Sequence, residues 1–118
     1  MEQPIPAVTS ADVRRIAERD FGSEKLNAVL TQLDEFEQQP GRERVQAAIL
    51  KLAGGDEGRL REALQIAIVD LRDVLAAAEY PRYTQEIGFD EVGQSLEQTV
   101  ITEDWAQYHS WFNAKMRF

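Results

Sequence analysis

Apolar residues recur at three- and four-residue spacings along most of the chain and nowhere alternate with polar ones for more than a few positions, so the pattern predicts an all-α fold. Residues 1 to 9 read as a flexible, proline-marked lead-in, and residues 10 to 118 as a single helical domain. Ser10 is suited to cap a short helix with Val13, Ile16, Ala17 and Phe21 on one side, which Gly22 ends. Ser23 is placed to cap a second, in which Leu26, Val29, Leu30, Leu33 and Phe36 share a face before Pro40-Gly41. Asp34, Glu35 and Glu37 crowd the end of that helix, where its dipole disfavours negative charge.

The clearest signal is a pair of helical patterns joined at Gly54-Gly55-Asp56. Over residues 42 to 53, Val45, Ala48, Ile49 and Leu52 form one stripe and Ala47 and Leu50 another, as expected of a helix touching neighbours on two sides. Over residues 57 to 80, Leu60, Ala63, Leu64, Ala67, Leu71, Val74, Leu75 and Ala78 make a broad stripe that Ile66, Ile68 and Val69 widen, marking the centre of the bundle. Gly54 supplies the left-handed residue that ends the first helix and Asp56 caps the next, so the two fold back as an αα-hairpin.

Pro81 blocks continuation, and the glycines and polar residues from Arg82 to Ile101 predict a short helix or loop. Thr102 then caps a final helix with Trp105, Tyr108, His109, Phe112 and Met116 on one face. The expectation is a single-domain helical bundle of about five helices, with the hairpin of 42–53 and 57–80 at its centre.

Composition narrows the functional classes. A chain of 118 residues removes roughly two-thirds of its unfolded surface from water, so it needs neither metal nor disulfide to fold. The absence of cysteine excludes a disulfide framework, a thiolate nucleophile and a cysteine-based zinc site. The first residues carry no signal-peptide pattern, and no apolar run approaches the roughly 20 residues a bilayer crossing requires, so a soluble cytoplasmic protein is expected. A formal charge of -8 repels nucleic acid and anionic lipid over a Debye length of about 8 Å and attracts basic partners. Residues 83 to 114 hold six of the acids, Glu86, Asp90, Glu91, Glu97, Glu103 and Asp104, with no Lys or Arg, and predict an acidic surface on the C-terminal third.

One turn of the long helix is anomalous. On a helical wheel Asp70 falls about 60° from Ala67, inside the apolar arc, and none of its neighbours at three or four residues is a cation. An unpaired buried carboxylate costs several kcal/mol, so Asp70 requires a partner from elsewhere. Arg72, flanked on its helix by Ile68, Val69, Leu75 and Ala76, requires one too. Either Asp70 and Asp73 accept hydrogen bonds from a packed helix N-terminus or from an arginine such as Arg44, or the turn faces a cleft and holds a ligand. Tyr80, Tyr83, Trp111 and Phe118 fall on no core stripe, which marks them either for an interface or for packing beneath residues 82 to 101.

No metal site or cofactor is expected. His109 is the single histidine, with Ala106 where a carboxylate bundle site would need a glutamate, and its place among aromatics suits a hydrogen-bonded core residue. The Gly54-Gly55-Asp56-Glu57-Gly58 turn carries two acids where a phosphate would sit, which favours capping over anion binding. P-loop, dinucleotide, EF-hand and nucleophile-triad patterns are absent.

The stretch from Arg44 to Gly54, Leu60, the Asp70-Leu71-Arg72-Asp73-Val74-Leu75 run, Ala78-Glu79-Tyr80-Pro81 and the closing Asp104-Trp105-Ala106-Gln107-Tyr108 with Trp111-Phe112 together resemble a group of short, free-standing bacterial proteins without assigned activity. The likeness covers residues 43–81 and 104–112 and implies a small, stand-alone, all-helical domain, with no catalytic residue, cofactor or substrate attached to it.

Two functions fit. The first is a small acidic non-enzymatic interaction protein, immunity-like or antitoxin-like, that binds a basic protein partner or a second copy of itself through Asp70, Arg72, Asp73, Tyr80 and Trp111. The alternative is a small enzyme or ligand-binding domain using Asp70, Asp73 and either Arg72 or Glu79 in an interhelical cleft.

Overall fold

The computed structural model describes residues 6–37, 41–81 and 94–114, and these form six helices with no strand among the described residues. Helix α1 spans Ser10–Phe21 and α2 Leu26–Leu33. The cap of α1 is Thr9 instead of Ser10: its Oγ1 accepts the Asp12 N–H at 3.1 Å, while the Asp12 carboxylate accepts the Thr9 N–H at 3.0 Å. This reciprocal box needs an acid three residues after the cap, and Ser10 has Val13 there. Val8, just before it, packs against the core.

Ser23 does not cap α2, which starts at Leu26 from Lys25 without a side-chain cap. The helix also ends earlier than its pattern suggests, at Leu33, yet Phe36 is still buried because a following turn bonds its N–H to the Leu33 carbonyl at 3.0 Å. Asp34, Glu35 and Glu37 thus lie past the helix, and Glu35 pairs with Arg61 at 2.6 Å.

Helix α3 (Arg42–Ala53) is the central element, a place the sequence pattern gave to the following helix. Every side chain from Val45 to Leu50 is buried, and α3 packs on α1, α4 and α5. Its Gln46 amide donates to the Leu33 carbonyl at 2.9 Å, a second bond to the acceptor that already takes the Phe36 N–H, and so ties α3 to the end of α2. The hairpin forms as expected: Gly54 and Gly55 take positive φ angles of 56° and 83°, and the Asp56 carboxylate accepts the Arg59 N–H at 3.0 Å to start α4.

The predicted helix of 57 to 80 is two helices, α4 (Glu57–Val69) and α5 (Leu71–Glu79), separated by Asp70 alone. Together they bury Leu60, Ala63, Leu64, Ala67, Val74 and Ala78. The last helix, α6 (Gln94–Phe112), begins well before Thr102, which lies exposed in its interior, so residues 94 to 101 belong to this helix where a separate short helix or a loop was expected. Val100, Ile101, Asp104 and Tyr108 form its buried face. The expected path of residues 82 to 93, and the expected places of Tyr83, Met116 and Phe118, lie outside the described residues.

Candidate functional site

The residues singled out in the sequence meet at the α4–α5 break. Asp70 is extended, with φ -152° and ψ 100°, and serves both helices: its N–H donates to the Ile66 carbonyl at 2.8 Å, and its carboxylate accepts the Arg72 N–H at 3.0 Å as the cap of α5. Because the helix is broken, Arg72 can turn back on Asp70, its Nε and Nη2 each donating to one carboxylate oxygen at 3.1 Å. The guanidinium holds the Asp70 carboxyl below the usual carboxylate range, helped by the backbone bond, and Asp70 in turn raises Arg72.

This geometry overturns the reading of Asp70 as a buried acid lacking a local cation. Its side chain is 34% exposed and that of Arg72 85%, and Asp73 is exposed beside them. The three residues sit on a surface corner and not inside an interhelical cleft. Arg44 is engaged elsewhere.

Directly before the corner stand three large apolar side chains in water. Ile66 is 47% exposed, Ile68 42% and Val69 87%. They were expected to widen the core stripe, but α4 lies on its neighbours through Leu60, Ala63, Leu64 and Ala67 only, and these cover a narrower arc than the sequence pattern spans. The result is an exposed apolar stretch, the α4 shelf, followed directly in the chain by the charged residues Asp70, Arg72 and Asp73.

A second group of polar residues is buried between α3, α5 and α6. Arg44 grips Glu79 with two parallel bonds, Nε to Oε2 at 2.8 Å and Nη2 to Oε1 at 2.6 Å, and Glu79 is 2% exposed. The bond to Glu79 raises the Arg44 pKa against the opposing effect of burial. The Gln107 amide donates to the Asp104 carbonyl at 2.9 Å and approaches those of Ala78 and Glu79 at 3.4 Å, tying α6 to the end of α5. Burial, reinforced by Glu79, pushes the Tyr80 phenol up to about 12 and raises that of Tyr108 as well. Burial lowers the ammonium of Lys51, with Asp104 acting against that shift.

Several surface expectations change here. Tyr80 is buried, and so is Asp104, which the acidic run had placed on the surface. Trp111 packs half-buried against the core, with the Arg19 guanidinium 5.2 Å from its ring centre. His109 lies against Trp105, ring centres 4.1 Å apart, and its Nε2 is buried without a hydrogen bond. Of the two alternatives for the unassigned aromatics, Tyr80 takes the buried one, while Glu103 is exposed and Tyr83, Phe118, Glu86, Asp90 and Glu91 lie outside the described residues.

The contacts that fasten α6 to α1 leave no mark in the hydrophobic pattern. Arg19 donates from Nη1 to the Trp111 carbonyl at 2.6 Å and the Ala114 carbonyl at 3.0 Å, while Asp20 accepts its Nε at 2.8 Å. Arg15 donates to the Phe112 carbonyl at 3.0 Å and lies over the Phe112 ring. A groove of about 680 Å³ runs along this seam, with Arg14, Glu18 and Asn113 among its lining. Arg19 is buried and spends its guanidinium on the carbonyls at the negative end of α6 and on Asp20, while Arg15 is exposed and gives one bond to the same helix end.

Among the described residues no group of three or more His, Asp or Glu is placed to hold a metal ion, and no helix is long and apolar enough to cross a membrane. No family model matches the chain, and neither a curated protein nor a solved structure matches it.

Proposed function

We propose that the protein is a small non-enzymatic interaction module that docks a basic protein partner on the α4 shelf, in the manner of an immunity protein or antitoxin. The exposure of Ile66, Ile68 and Val69 carries this reading. Three exposed side chains of that size within four residues, followed directly by charged ones, have the composition of an interface core with a polar border. The formal charge of -8 supports a basic partner, steering it by long-range attraction. Asp70 and Asp73 then belong to the rim, offering acceptors for lysine or arginine of the partner, and Arg72 orients Asp70.

The test is affinity capture at low salt with the wild type and an Ile66→Asp, Val69→Asp double variant. The proposal expects a basic protein that is retained by the wild type, lost from the double variant and released as salt rises. Equal recovery by both would move the contact off the shelf. A monomeric wild type that retains nothing would overturn the interaction reading altogether.

A further inference from the structure

We propose that residues 57 to 79 encode a second arrangement, one uninterrupted helix reached by exchanging α5 and the α6 that follows it between two copies of the chain, and that Asp70 holds the protein in the broken form. The inference stands on the helix break and does not depend on the shelf's partner. Only Asp70 leaves helical geometry, because α4 runs to Val69 and α5 resumes at Leu71. The apolar spacing ignores the interruption: Leu60, Ala63, Leu64, Ala67, Leu71, Val74 and Ala78 continue one helical stripe across it. Rotation about a single residue thus converts two helices into one rod.

Within one molecule the rod is forbidden by packing. Straightening swings α5 away from α3 and draws α6 after it, uncovers Val74 and Ala78, parts Glu79 from Arg44 and frees the α6 carbonyls from Arg15 and Arg19, contacts that a second copy can restore. A second copy removes that objection, since its α5 can settle on the vacated surface and its Glu79 can meet the first copy's Arg44. Each molecule keeps its native contacts and exchanges only their owner, the arrangement known as domain swapping. The crossing of the two rods forms at the hinge, where Ile66, Ile68 and Val69 stand exposed and gain cover from the other copy.

Asp70 opposes this outcome in two ways. In the broken form its carboxylate caps α5 and binds Arg72. In the rod it turns into the apolar stripe about 60° from Ala67 and loses both contacts. A small apolar residue at this position removes the barrier and suits a helix interior better.

The deciding variant is Asp70→Ala, studied as the full chain by mass-resolved size exclusion and far-ultraviolet circular dichroism. The expected result is a dimer that is more helical than the wild type, with the dimer equilibrium favoured roughly tenfold or more. Exchange is then proved on this background by refolding a chain carrying Arg44→Glu together with one carrying Glu79→Arg. Swapping restores both charge pairs between the copies, so a mixed dimer should outcompete either parent. A monomeric Asp70→Ala protein with wild-type helicity overturns the proposal, as does a dimer that dissociates at once on dilution without added helix. Should Asp70→Ala not fold, Asp70→Gln, which also lacks the carboxylate cap and suits a helix interior, decides after refolding at high concentration: a dimer persisting for hours after dilution supports exchange, and monomer alone overturns it.

Discussion

Arg44 and Glu79, 35 residues apart in sequence, close a bidentate ion pair that pins the first turn of α3 to the last turn of α5. Its two N–H···O bonds are parallel, and the carboxylate is almost completely removed from water. Removing the cation leaves a buried charge unpaired, so Arg44→Ala is expected to cost about 3 kcal/mol, the low end for buried pairs because Arg44 itself keeps some solvent access. Arg44→Met with Glu79→Met should recover part of that loss. Urea unfolding of the single and double variants checks both statements.

Arg19 presents a similar demand from a different geometry. One guanidinium serves two carbonyls at the end of α6 and the Asp20 carboxylate together. Arg19→Ala should destabilise by about 2 kcal/mol, and Arg19→Lys should recover little, since an ammonium cannot spread over the same fork. Thermal melts of the two variants compare them directly.

Gly55 sits where the hairpin turn meets the end of α1. Its φ is +83°, and a Cβ there would stand 2.8 Å from the Asp20 carbonyl oxygen. Both strain and contact oppose a side chain, so Gly55→Ala is expected to cost about 2 kcal/mol. Gly54 also has positive φ, but a Cβ there meets nothing within 4 Å. Gly54→Ala should therefore cost less, about 1 kcal/mol, by the same chemical denaturation measurement.

Alkaline titration should expose the buried tyrosines. Tyr80 and Tyr108 both have phenol pKa values raised above the unfolded value of about 10, so the folded state holds their protons longer than the unfolded chain does. Their contribution to stability is complete below about pH 10 and is lost as pH climbs toward about 12, the value to which Tyr80 is pushed. Tyrosinate absorbance alongside urea midpoints measures this, and Tyr80→Phe should flatten the decline. Tyr108→Phe should also be neutral or stabilising by up to about 1 kcal/mol at neutral pH, because its hydroxyl is buried without a partner.

Val69→Asp tests the shelf without disturbing the fold. At 87% exposure the side chain contributes little burial, so its stability effect should stay within about 0.5 kcal/mol while partner capture falls.

The hairpin of α3 and α4 was legible because every local signal there agrees: the stripe, Gly54 and the Asp56 cap. The break after Val69 was not, since apolar periodicity continues through it and a single residue carries the change. A signal was nevertheless present, for an aspartate inside an apolar arc with another acid three positions on has the makings of an N-cap. Arg44 is a fitting cation for Asp70 and Asp73 by charge alone, yet its match with Glu79 depends on how α5 returns along α3, which spacing within one helix cannot encode. Asp104 shows the same limit: a count of acids along the chain registers charge but not the face of α6 that bears it. The start of α6 lies before Thr102 because this residue, of a type suited to capping, sits exposed within the helix and not ahead of its first turn.

Arg15 and Arg19 hold the close of α6 against α1, so Ala11 near the start of the fold and Ala114 near its finish border the same groove. A tensile load applied at the two ends consequently enters the molecule at one seam. Stretched in a force experiment, the protein should part first at this arginine clasp, peeling α6 away while the hairpin of α3 and α4 is still intact.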